Sequence, residues 1–297
     1  MLRRLLTGYL TDRQKRDLKS KVNAARQRLV QTFLSYDAAA LQRRLRSMGI
    51  EQTDTLLLHS NFEPTSGFAG SPLDLVNAFA DLVGTRGNLL MVSIPFRGTA
   101  YDYLASNKVF NVRKTLSMMG LVTEMFRRRP GTVRSLHPTH PVLAWGKDAE
   151  WLVAGHEDCL FPCGGGTPFD KFRQLNGKIL FFDVGMEAIT FFHYVEDLVK
   201  DRVPFRVYDE RLFSVSAVDA AGNSRTIQTY AFNRHVIRRA DKLRDEMARR
   251  GKIKSGRIGN SRLLLVTAAD VVECQTAMVE SGNAPYDPAP ASAGEES

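Results

Sequence analysis

Residues 55 to 92 read TLLLHSNFEPTSGFAGSPLDLVNAFADLVGTRGNLLMV, and this stretch decides the fold of the chain. A short apolar run is followed by a glycine-containing loop, by helical spacing of apolar residues over 72–83, and by a second apolar run at 88–92. Strand, loop, helix and strand in this order are typical of a parallel α/β sheet. A third apolar run at 178–184 extends the pattern, and we therefore predict an α/β fold.

The rest of the pattern divides the chain into three parts. Residues 1–35 are predicted to form a basic helical arm, 36–280 the main domain, and 281–297, rich in proline and in small or acidic residues, a disordered tail. The main domain has further predicted elements: helices over 36–48 and 117–129, a loop-rich span over 134–168, a β-hairpin from 205 that turns at 219–223, helices within 232–250, and a strand at 261–266.

The composition indicates a folded protein of the cytoplasm. The chain has 297 residues, of which 43% are hydrophobic, enough for a substantial core. Its three cysteines, Cys159, Cys163 and Cys274, are too few for a disulfide framework and lack zinc-site spacing, so we expect reduced thiols and no metal. The sequence has neither eighteen consecutive apolar residues nor a secretory signal, and we expect no export and no membrane-spanning segment.

Positive charge is concentrated at the amino end. Residues 1–50 contain twelve Lys and Arg against three Asp, which accounts for the formal net charge of +9 and leaves the remainder neutral. Over 13–33 the apolar residues recur every three or four positions, which predicts an amphipathic basic helix. Such a helix fits packing on the body of the protein, packing on a second subunit in a homodimer, or contact with an anionic surface. We expect no sequence-specific nucleic-acid partner.

The strongest clue to chemistry is the run TFFHYVE at 190–196. Thr190, His193 and Glu196 follow one another at i,i+3 steps, so a helix would project all three from one face. A histidine in an apolar helix with a carboxylate one turn on is how a general base is built. The same pattern also fits a histidine buried in the core with its hydrogen bonds satisfied.

Three other segments carry polar groups suited to binding. His59, Ser60 and Asn61 end the first predicted strand, where ligands bind in parallel α/β sheets. The segment 134–137, Arg-Ser-Leu-His, offers groups that bind phosphate or polarise a carbonyl, although it also fits a solvent-facing turn. The run CGGGTP at 163–168 is a loop whose backbone could approach a ligand closely, or one with a purely conformational role.

Several alternative chemistries do not fit the sequence. It contains neither a phosphate-binding P-loop nor a dinucleotide-binding glycine motif. An inverted zinc helix, H-x-x-E-H, would need a histidine at Asp197, which argues against metal-dependent hydrolysis. Cys163 lies beside three glycines, which predicts exposure but no stabilisation of a thiolate nucleophile.

Taken in order, these segments resemble the aminoglycoside 3-N-acetyltransferase family, the antibiotic N-acetyltransferases that lie outside the GNAT group. The resemblance covers about residues 36–280, and its motifs are LLLHS at 56–60, GNLLM at 87–91, PGTVRSLHP at 130–138, TPFDK at 167–171, GKIL at 177–180 and TFFHYVE at 190–196.

The resemblance implies an α/β/α sandwich that transfers an acetyl group from acetyl-CoA to a primary amine. His193 would be the general base, Glu196 its partner, and His137 the group nearest the thioester, while Thr190 and Glu196 would face the acceptor. The residues that the resemblance places on the CoA side of the cleft are His59, Ser60, Asn61, Ser93, Arg134, Ser135, Thr167 and Phe169. Transfer is expected to be direct, without an acyl-enzyme.

The distribution of charge in the sequence gives an expectation for the amine acceptor and also leaves an alternative, non-catalytic function open. Aminoglycosides are polycations, which an acidic cleft would attract, but the main domain is formally neutral. We therefore expect an amine on a neutral or anionic amino sugar or related biosynthetic intermediate. The alternative is a non-catalytic scaffold of the same fold that docks anionic partners through its basic amino-terminal helix.

Overall fold

A computed structural model of the chain describes residues 11–287, and its centre is a mixed sheet of seven strands in that range. The strands, numbered along the chain, are β1 Thr55–Ser60, β2 Asn88–Val92, β3 Phe110–Asn111, β4 Val133–Arg134, β5 Val142–Gly146, β6 Lys178–Phe182, β7 Tyr208–Val218, β8 Ser224–Phe232, β9 Ile237–Arg238, β10 Lys254–Ile258, β11 Ser261–Thr267 and β12 Tyr286–Asp287. The order across the main sheet is β10-β11-β6-β1-β2-β5-β4.

Helices cover both faces of this sheet. They are α1 Asp12–Phe33, α2 Ala38–Ser47, α3 Pro72–Val83, α4 Ala100–Ala105, α5 Leu121–Arg128, α6 Ala149–Val153, α7 Pro168–Gln174, α8 Phe192–Leu198, α9 Ala240–Arg249 and α10 Ala268–Glu280, with 3-10 turns at His156–Asp158, Met186–Ala188 and Lys200–Arg202. Two smaller sheets, β3-β7-β8 and β9-β12, lie outside the main one.

The three apolar runs form the parallel centre of the sheet, as predicted. Leu57 of β1 pairs with Leu90 of β2 and with Ile179 of β6, and both pairings are parallel. Alternate side chains of these strands enter opposite layers: Leu57 and Ile179 belong to one core cluster, and Leu56 and Leu180 to the other. A strand that is covered on both faces needs apolar residues at every position, which explains the continuous runs.

The predicted α/β/α fold is confirmed, but the prediction of a parallel sheet holds only at its centre. β5 and β11 run antiparallel to their inner neighbours, β2 and β6. The span 134–168, predicted to be rich in loops, contains β5 and α6, whose short lengths left little periodicity to detect.

Two predicted helix boundaries were wrong. The helix predicted from 117 begins at Leu121, because the backbone of Gly120 at φ +109 interrupts the helical path. The helix predicted from 232 begins at Ala240, because Phe232 ends the long hairpin strand β8 and Ile237–Arg238 forms a strand of its own.

The prediction that the disordered tail begins at 281 was also wrong. Tyr286 and Asp287 pair with Arg238 and Ile237 in an antiparallel bridge, and the Tyr286 side chain is buried in the core. A large aromatic side chain gains free energy on burial, about 1.5–3 kcal/mol for comparable residues, which fixes this segment. The rest of the predicted tail, 288–297, lies outside the described residues.

The predicted basic helix is present as α1, which begins with a capping box between Thr11 and Gln14. Its carboxyl end docks on the main domain, where Val30 is buried and lies against Gly67. The first ten residues of the predicted arm lie outside the described residues. Within 11–287, no helix combines the length and apolarity needed to span a bilayer.

Candidate active site

His193 lies on the short helix α8, and its imidazole is held by Glu196 one turn away. The Nδ1 atom of His193 is 2.8 Å from Oε2 of Glu196, as the i,i+3 spacing predicts. The backbone N–H of His193 donates to the carbonyl of Thr190, which is itself buried. The ring of Phe232 stacks on the imidazole with centroids 4.3 Å apart, and 22% of the His193 side chain remains exposed.

Glu196 is fully buried and has a second partner, Arg238, which the sequence analysis missed. Arg238 donates from Nε to the same oxygen, Oε2, at 2.9 Å. Its guanidinium also donates to the carbonyls of Asn233 and Val236 and lies over the ring of Phe232. A buried carboxylate needs a cation or several hydrogen-bond donors as partners. The sequence did not identify Arg238 as that partner, because it lies 42 residues from Glu196 and no spacing rule connects residues so far apart.

The electrostatics around His193 favour a neutral imidazole. Burial lowers its pKa most, Glu196 raises it, and Arg238 lowers it again, with a net shift below the ordinary histidine value. Since Glu196 accepts the proton on Nδ1, the lone pair of the neutral ring is on Nε2. The ring is thus ready to accept a proton at physiological pH.

A second histidine, His140, also lies against His193 and was not predicted. Their rings meet edge-on with centroids 5.8 Å apart, and His140 in turn meets the ring of Phe96. Phe96 lines a cavity of about 510 Å³ at the carboxyl end of β2. Burial is the main cause that holds the pKa of His140 well below its usual value, and the neighbouring His193, His156 and Arg238 lower it further. His140 is therefore a neutral ring that contacts both Phe96 and His193.

His137, predicted to lie nearest the thioester, lies in the interior of the protein. The side chain is completely buried, and both ring nitrogens are engaged: Nδ1 accepts from the Thr139 backbone at 3.3 Å, and Nε2 is 3.2 Å from the Thr229 hydroxyl. Its ring stacks on His156 at 4.4 Å. Burial and the two neighbouring histidines hold its pKa well below the ordinary range, so His137 is a neutral packing residue.

Arg134 and Ser135, predicted to contact CoA, turn inward instead. Arg134 donates to the carbonyls of Thr115 and Ser93 at 2.6 and 2.7 Å, and burial lowers its pKa to about 9. Ser135 is buried; its hydroxyl accepts from the Val142 N–H and lies 2.8 Å from Nδ1 of His156. Through these hydrogen bonds both residues fix the loop that follows β4.

The groups predicted at the ends of β1 and β2 divide into buried and accessible ones. His59 is buried and stacks on Phe181, with Nε2 unpaired within the described chain, and burial lowers its pKa to about 4. Ser93 is buried with its hydroxyl likewise unpaired among the described residues. Ser60 is partly exposed at the strand end, and Asn61 is exposed and lines a cavity.

The segment 163–169 supplies packing rather than ligand contacts. The Thr167 hydroxyl donates to the carbonyl of Gly164 at 2.6 Å, and Phe169 belongs to the core. Cys163, predicted to be exposed, is completely buried, and burial with the nearby Asp197 and Glu196 raises the pKa of its thiol well above normal. A buried neutral thiol is a poor nucleophile.

Asn61 opens onto a cavity of about 480 Å³ beside the carboxyl ends of β1 and β6. Three arginines line it, Arg26 of α1 and Arg257 and Arg262 of the β10-β11 hairpin. The two carboxylates on its wall already have partners: Glu63 accepts from Asn61, and Asp183 accepts from Ser261 and the Arg262 backbone. Because neutral donors leave both carboxylates charged, the three arginines give the cavity wall a formal excess of one positive charge.

The model of one protein family, described as aminoglycoside 3-N-acetyltransferase, matches residues 57–280. The chain belongs to the aminoglycoside 3-N-acetyltransferase family. The family match covers α8 and Arg238 but leaves out α1, α2 and β12.

Relatives of this family member include two curated enzymes. Aminoglycoside N(3)-acetyltransferase VII of Streptomyces paromomycinus is 30% identical over 180 residues, which cover 53% of this chain and 59% of that protein. Aminoglycoside N(3)-acetyltransferase IX of Micromonospora chalcea is 24% identical over 76% of this chain and 87% of its own length. The alignment with the first relative thus spans under two thirds of that enzyme.

Solved structures confirm the aminoglycoside 3-N-acetyltransferase fold. Aminoglycoside acetyltransferase AAC(3)-Xa superimposes with a TM-score of 0.75 at 23% identity, covering 89% of this chain and 99% of that one. AAC-IIIb, solved as a binary complex with CoASH, superimposes with a TM-score of 0.71 at 20% identity, covering 85% and 99%.

Proposed function

We propose that the chain transfers an acetyl group from acetyl-CoA to a primary amine of an amino sugar or related intermediate, with His193 as the general base. The observation that carries this proposal is the His193–Glu196 pair, a neutral, oriented and partly exposed imidazole. Membership of the family supports the reaction class. The three free cysteines suit the reducing cytoplasm, where we place the reaction.

The proposed step needs a base because the acceptor amine is mostly protonated at pH 7. His193 accepts two protons in turn: the one that it takes from the ammonium passes to solvent, and it takes the second from the neutral nitrogen as that nitrogen forms a bond to the thioester carbonyl carbon. The carbon–sulfur bond then breaks, the acetyl group stays on nitrogen, and the CoA thiolate leaves and takes up the proton. A positioned base contributes roughly 10²–10⁴-fold to such a rate. Glu196 would hold the imidazole and stabilise its charged form.

We place the phosphates of the donor in the cavity beside β1 and β6. CoA carries several phosphate charges, and Arg257 and Arg262 place two guanidinium groups on the cavity wall, where Asp183 and Glu63 offset part of their charge. Asn61, predicted from the sequence to lie on the CoA side, lines the same cavity. A relative of this fold, AAC-IIIb, was solved with CoASH bound, which supports the choice of donor.

We propose an acceptor that is neutral or anionic rather than a polycation. Arg238 lies next to the catalytic pair, and the cavity beside Phe96 is lined by Arg97 and Lys108 against a single acid, Asp102. These surroundings would not concentrate a polycationic aminoglycoside. Amino groups on nucleotide-linked or lipid-linked sugars fit them better.

The test is to follow thiol release from acetyl-CoA across a panel of amines that contains kanamycin-type aminoglycosides and nucleotide-linked amino sugars. We expect turnover with at least one amine and a loss of roughly 10²–10⁴-fold in His193→Ala. His235→Ala is the matched control, because His235 is exposed and lies outside the catalytic pair. Full activity without His193 would refute the mechanism, and a strong preference for kanamycin would refute the acceptor assignment.

Two further results would distinguish direct transfer from an acyl-enzyme mechanism, and an enzyme from a non-catalytic scaffold. An acyl group trapped on Cys163 after mixing with acetyl-CoA alone would contradict direct transfer, which the complete burial of that thiol supports. If no amine releases thiol, the chain is instead a scaffold of the same fold.

A further inference from the structure

Helix α1 projects from the main domain with most of its surface uncovered. From Arg13 to Leu29 every described side chain except Gln27 is exposed, and only Val30, near the carboxyl end, is buried. The helix has 22 residues and a complete amino-terminal capping box, so it has its own local stabilisation. Among the described residues of α1, only Arg26 lines the cavity proposed for the donor phosphates, and the sheet uses none of this surface.

One face of α1 is apolar although it is exposed. Leu18, Val22, Leu29 and Phe33 lie on this face, and each side chain is between 49% and 76% exposed. At 3.6 residues per turn their spacing stacks them in a single stripe. Exposed apolar residues aligned over the length of a helix indicate a surface that is covered in the functional state.

Basic residues flank this stripe on both sides. On the helical wheel Lys19 and Arg26 lie on one side of it, and Lys21 and Arg28 on the other. The helix contains seven Lys and Arg against two Asp, and these residues form a large part of the charge excess of the whole chain. An apolar stripe between basic edges is the pattern of a helix that lies in the plane of an anionic lipid interface.

The positive charge of α1, together with its apolar stripe, favours a lipid surface over a second copy of the helix or a nucleic acid. A second copy of α1 would bring two strongly basic helices together, which costs free energy through like-charge repulsion. A nucleic acid would attract the basic edges but would leave the apolar stripe in water. An anionic bilayer uses both features, since headgroups neutralise the edges and the acyl boundary buries the stripe.

We propose that α1 docks the protein on anionic membrane surfaces, with Leu18, Val22, Leu29 and Phe33 inserted at the headgroup boundary. Binding is reversible, because the inserted apolar area is small and the rest of the affinity comes from screened charge. The proposal is independent of the proposed acetyl transfer.

The experiment is co-sedimentation of the full chain with vesicles of phosphatidylcholine alone or with about 30% phosphatidylglycerol, at about 0.1 M NaCl. We expect binding only to the anionic vesicles, and a loss of about tenfold or more when salt is raised to about 0.5 M. Leu18→Ser/Val22→Ser/Leu29→Ser and, separately, Lys19→Gln/Lys21→Gln/Arg28→Gln should each weaken vesicle binding by about tenfold or more.

Two control variants each carry three substitutions of the same kind, apolar to Ser or basic to Gln, at exposed residues outside α1. Leu73→Ser/Leu121→Ser/Leu212→Ser and Lys147→Gln/Arg202→Gln/Arg249→Gln should bind vesicles within about twofold of the unmodified chain. A thermal melt confirms that each variant is folded.

Several results would overturn the proposal. These are absence of binding to anionic vesicles, equal binding to neutral ones, a control triple as damaging as its α1 counterpart, or a dimer in solution that the apolar triple dissociates. Tight binding to single-stranded DNA that the apolar triple leaves unchanged, without vesicle binding, would assign the helix to nucleic acid instead.

Discussion

A single carboxylate oxygen, Oε2 of Glu196, accepts hydrogen bonds from both His193 and Arg238. Glu196 raises the pKa of the imidazole, whereas Arg238 lowers it. Burial is the largest cause of the lowered pKa of His193 and Arg238 adds to it, which keeps the ring neutral and able to act as a base. Arg238 therefore tunes the basicity of His193 without having to touch the substrate.

This arrangement predicts opposite pH shifts for two substitutions. In Arg238→Gln the pKa of His193 should rise, so the acidic limb of kcat/KM should move to higher pH. In Glu196→Gln the pKa should fall and the limb should move to lower pH, with a lower maximal rate because the ring loses its orienting partner. Rate profiles between about pH 5 and 8 measure both shifts. Arg206→Gln, an exposed arginine, is the control, and limbs that move in the same direction would contradict the model of opposed partners.

At this scale the sequence predicted some contacts and missed others. The His193–Glu196 contact followed from helical spacing alone, because i,i+3 residues on one helix always lie close together. Arg238 and His140 reach the site through the tertiary fold, from a separate strand and from a loop. The burial of His137 and Arg134 was not predictable, because a motif gives residue types but not the direction in which each side chain points.

Among the elements, the glycine loop before α7 and the helix α8 are packed against each other. A Cβ atom on Gly164 would lie 2.5 Å from Oδ2 of Asp197, the residue that follows Glu196. Asp197 cannot easily move aside, because its other oxygen accepts from Tyr208 at 2.8 Å and from Lys200 at 3.2 Å. The close approach predicted for this loop therefore occurs, but the partner is α8.

Adjacent glycines provide a matched test of that contact. Gly164→Ala should lower the free energy of unfolding by about 1–3 kcal/mol, because the added methyl group overpacks a pinned carboxylate. Gly165→Ala should change it by less than about 0.5 kcal/mol, since a Cβ there meets nothing within 4 Å. Denaturant titration measures both values, and equal effects would mean that Asp197 relaxes freely.

Elements with a strong period were predictable, and short ones were not. The unit of β1, α3 and β2 was found because its strands contain apolar runs and its helix has apolar residues at helical spacing. β5 and β9 are held by pairing with strands distant in sequence, so their local composition indicated little. The antiparallel direction of the outer strands likewise depends on chain connections that no local pattern encodes.

On the scale of the whole molecule, five of the six histidines show depressed pKa values, among them His59 at about 4 and His156 at about 3, with His137 and His140 well below normal. Burial is the main cause in each case. On unfolding these rings meet water and regain a pKa near 6.5, so below that pH the unfolded chain binds more protons than the folded one. Acid therefore destabilises the folded protein, because the buried histidines take up protons more readily in the unfolded chain.

We therefore predict that the contribution of these histidines to the free energy of unfolding is fully present above about pH 6.5 and is lost progressively as the pH drops toward 4. Each buried histidine contributes about 1.4 kcal/mol per pH unit in that window, an upper bound that other titrating groups modify. Denaturant unfolding at several pH values gives the slope. His59→Phe should reduce the slope by the contribution of one proton, up to about 1.4 kcal/mol per pH unit. His235→Ala, at an exposed position, should leave the slope unchanged. A slope unaffected by His59→Phe would contradict this origin.

The short strand β12 has a practical consequence for anyone who expresses this protein. The family match stops at residue 280, before β12, and invites truncation there. Such a shortened polypeptide would retain the whole central sheet yet lose the backbone pairing of Tyr286 with Arg238. The guanidinium of Arg238 would then be positioned only by its own side-chain contacts, without the backbone pairing, and we expect a sample that retains the central sheet to show altered pH behaviour for reasons of cloning alone. Expression boundaries should therefore extend through Asp287.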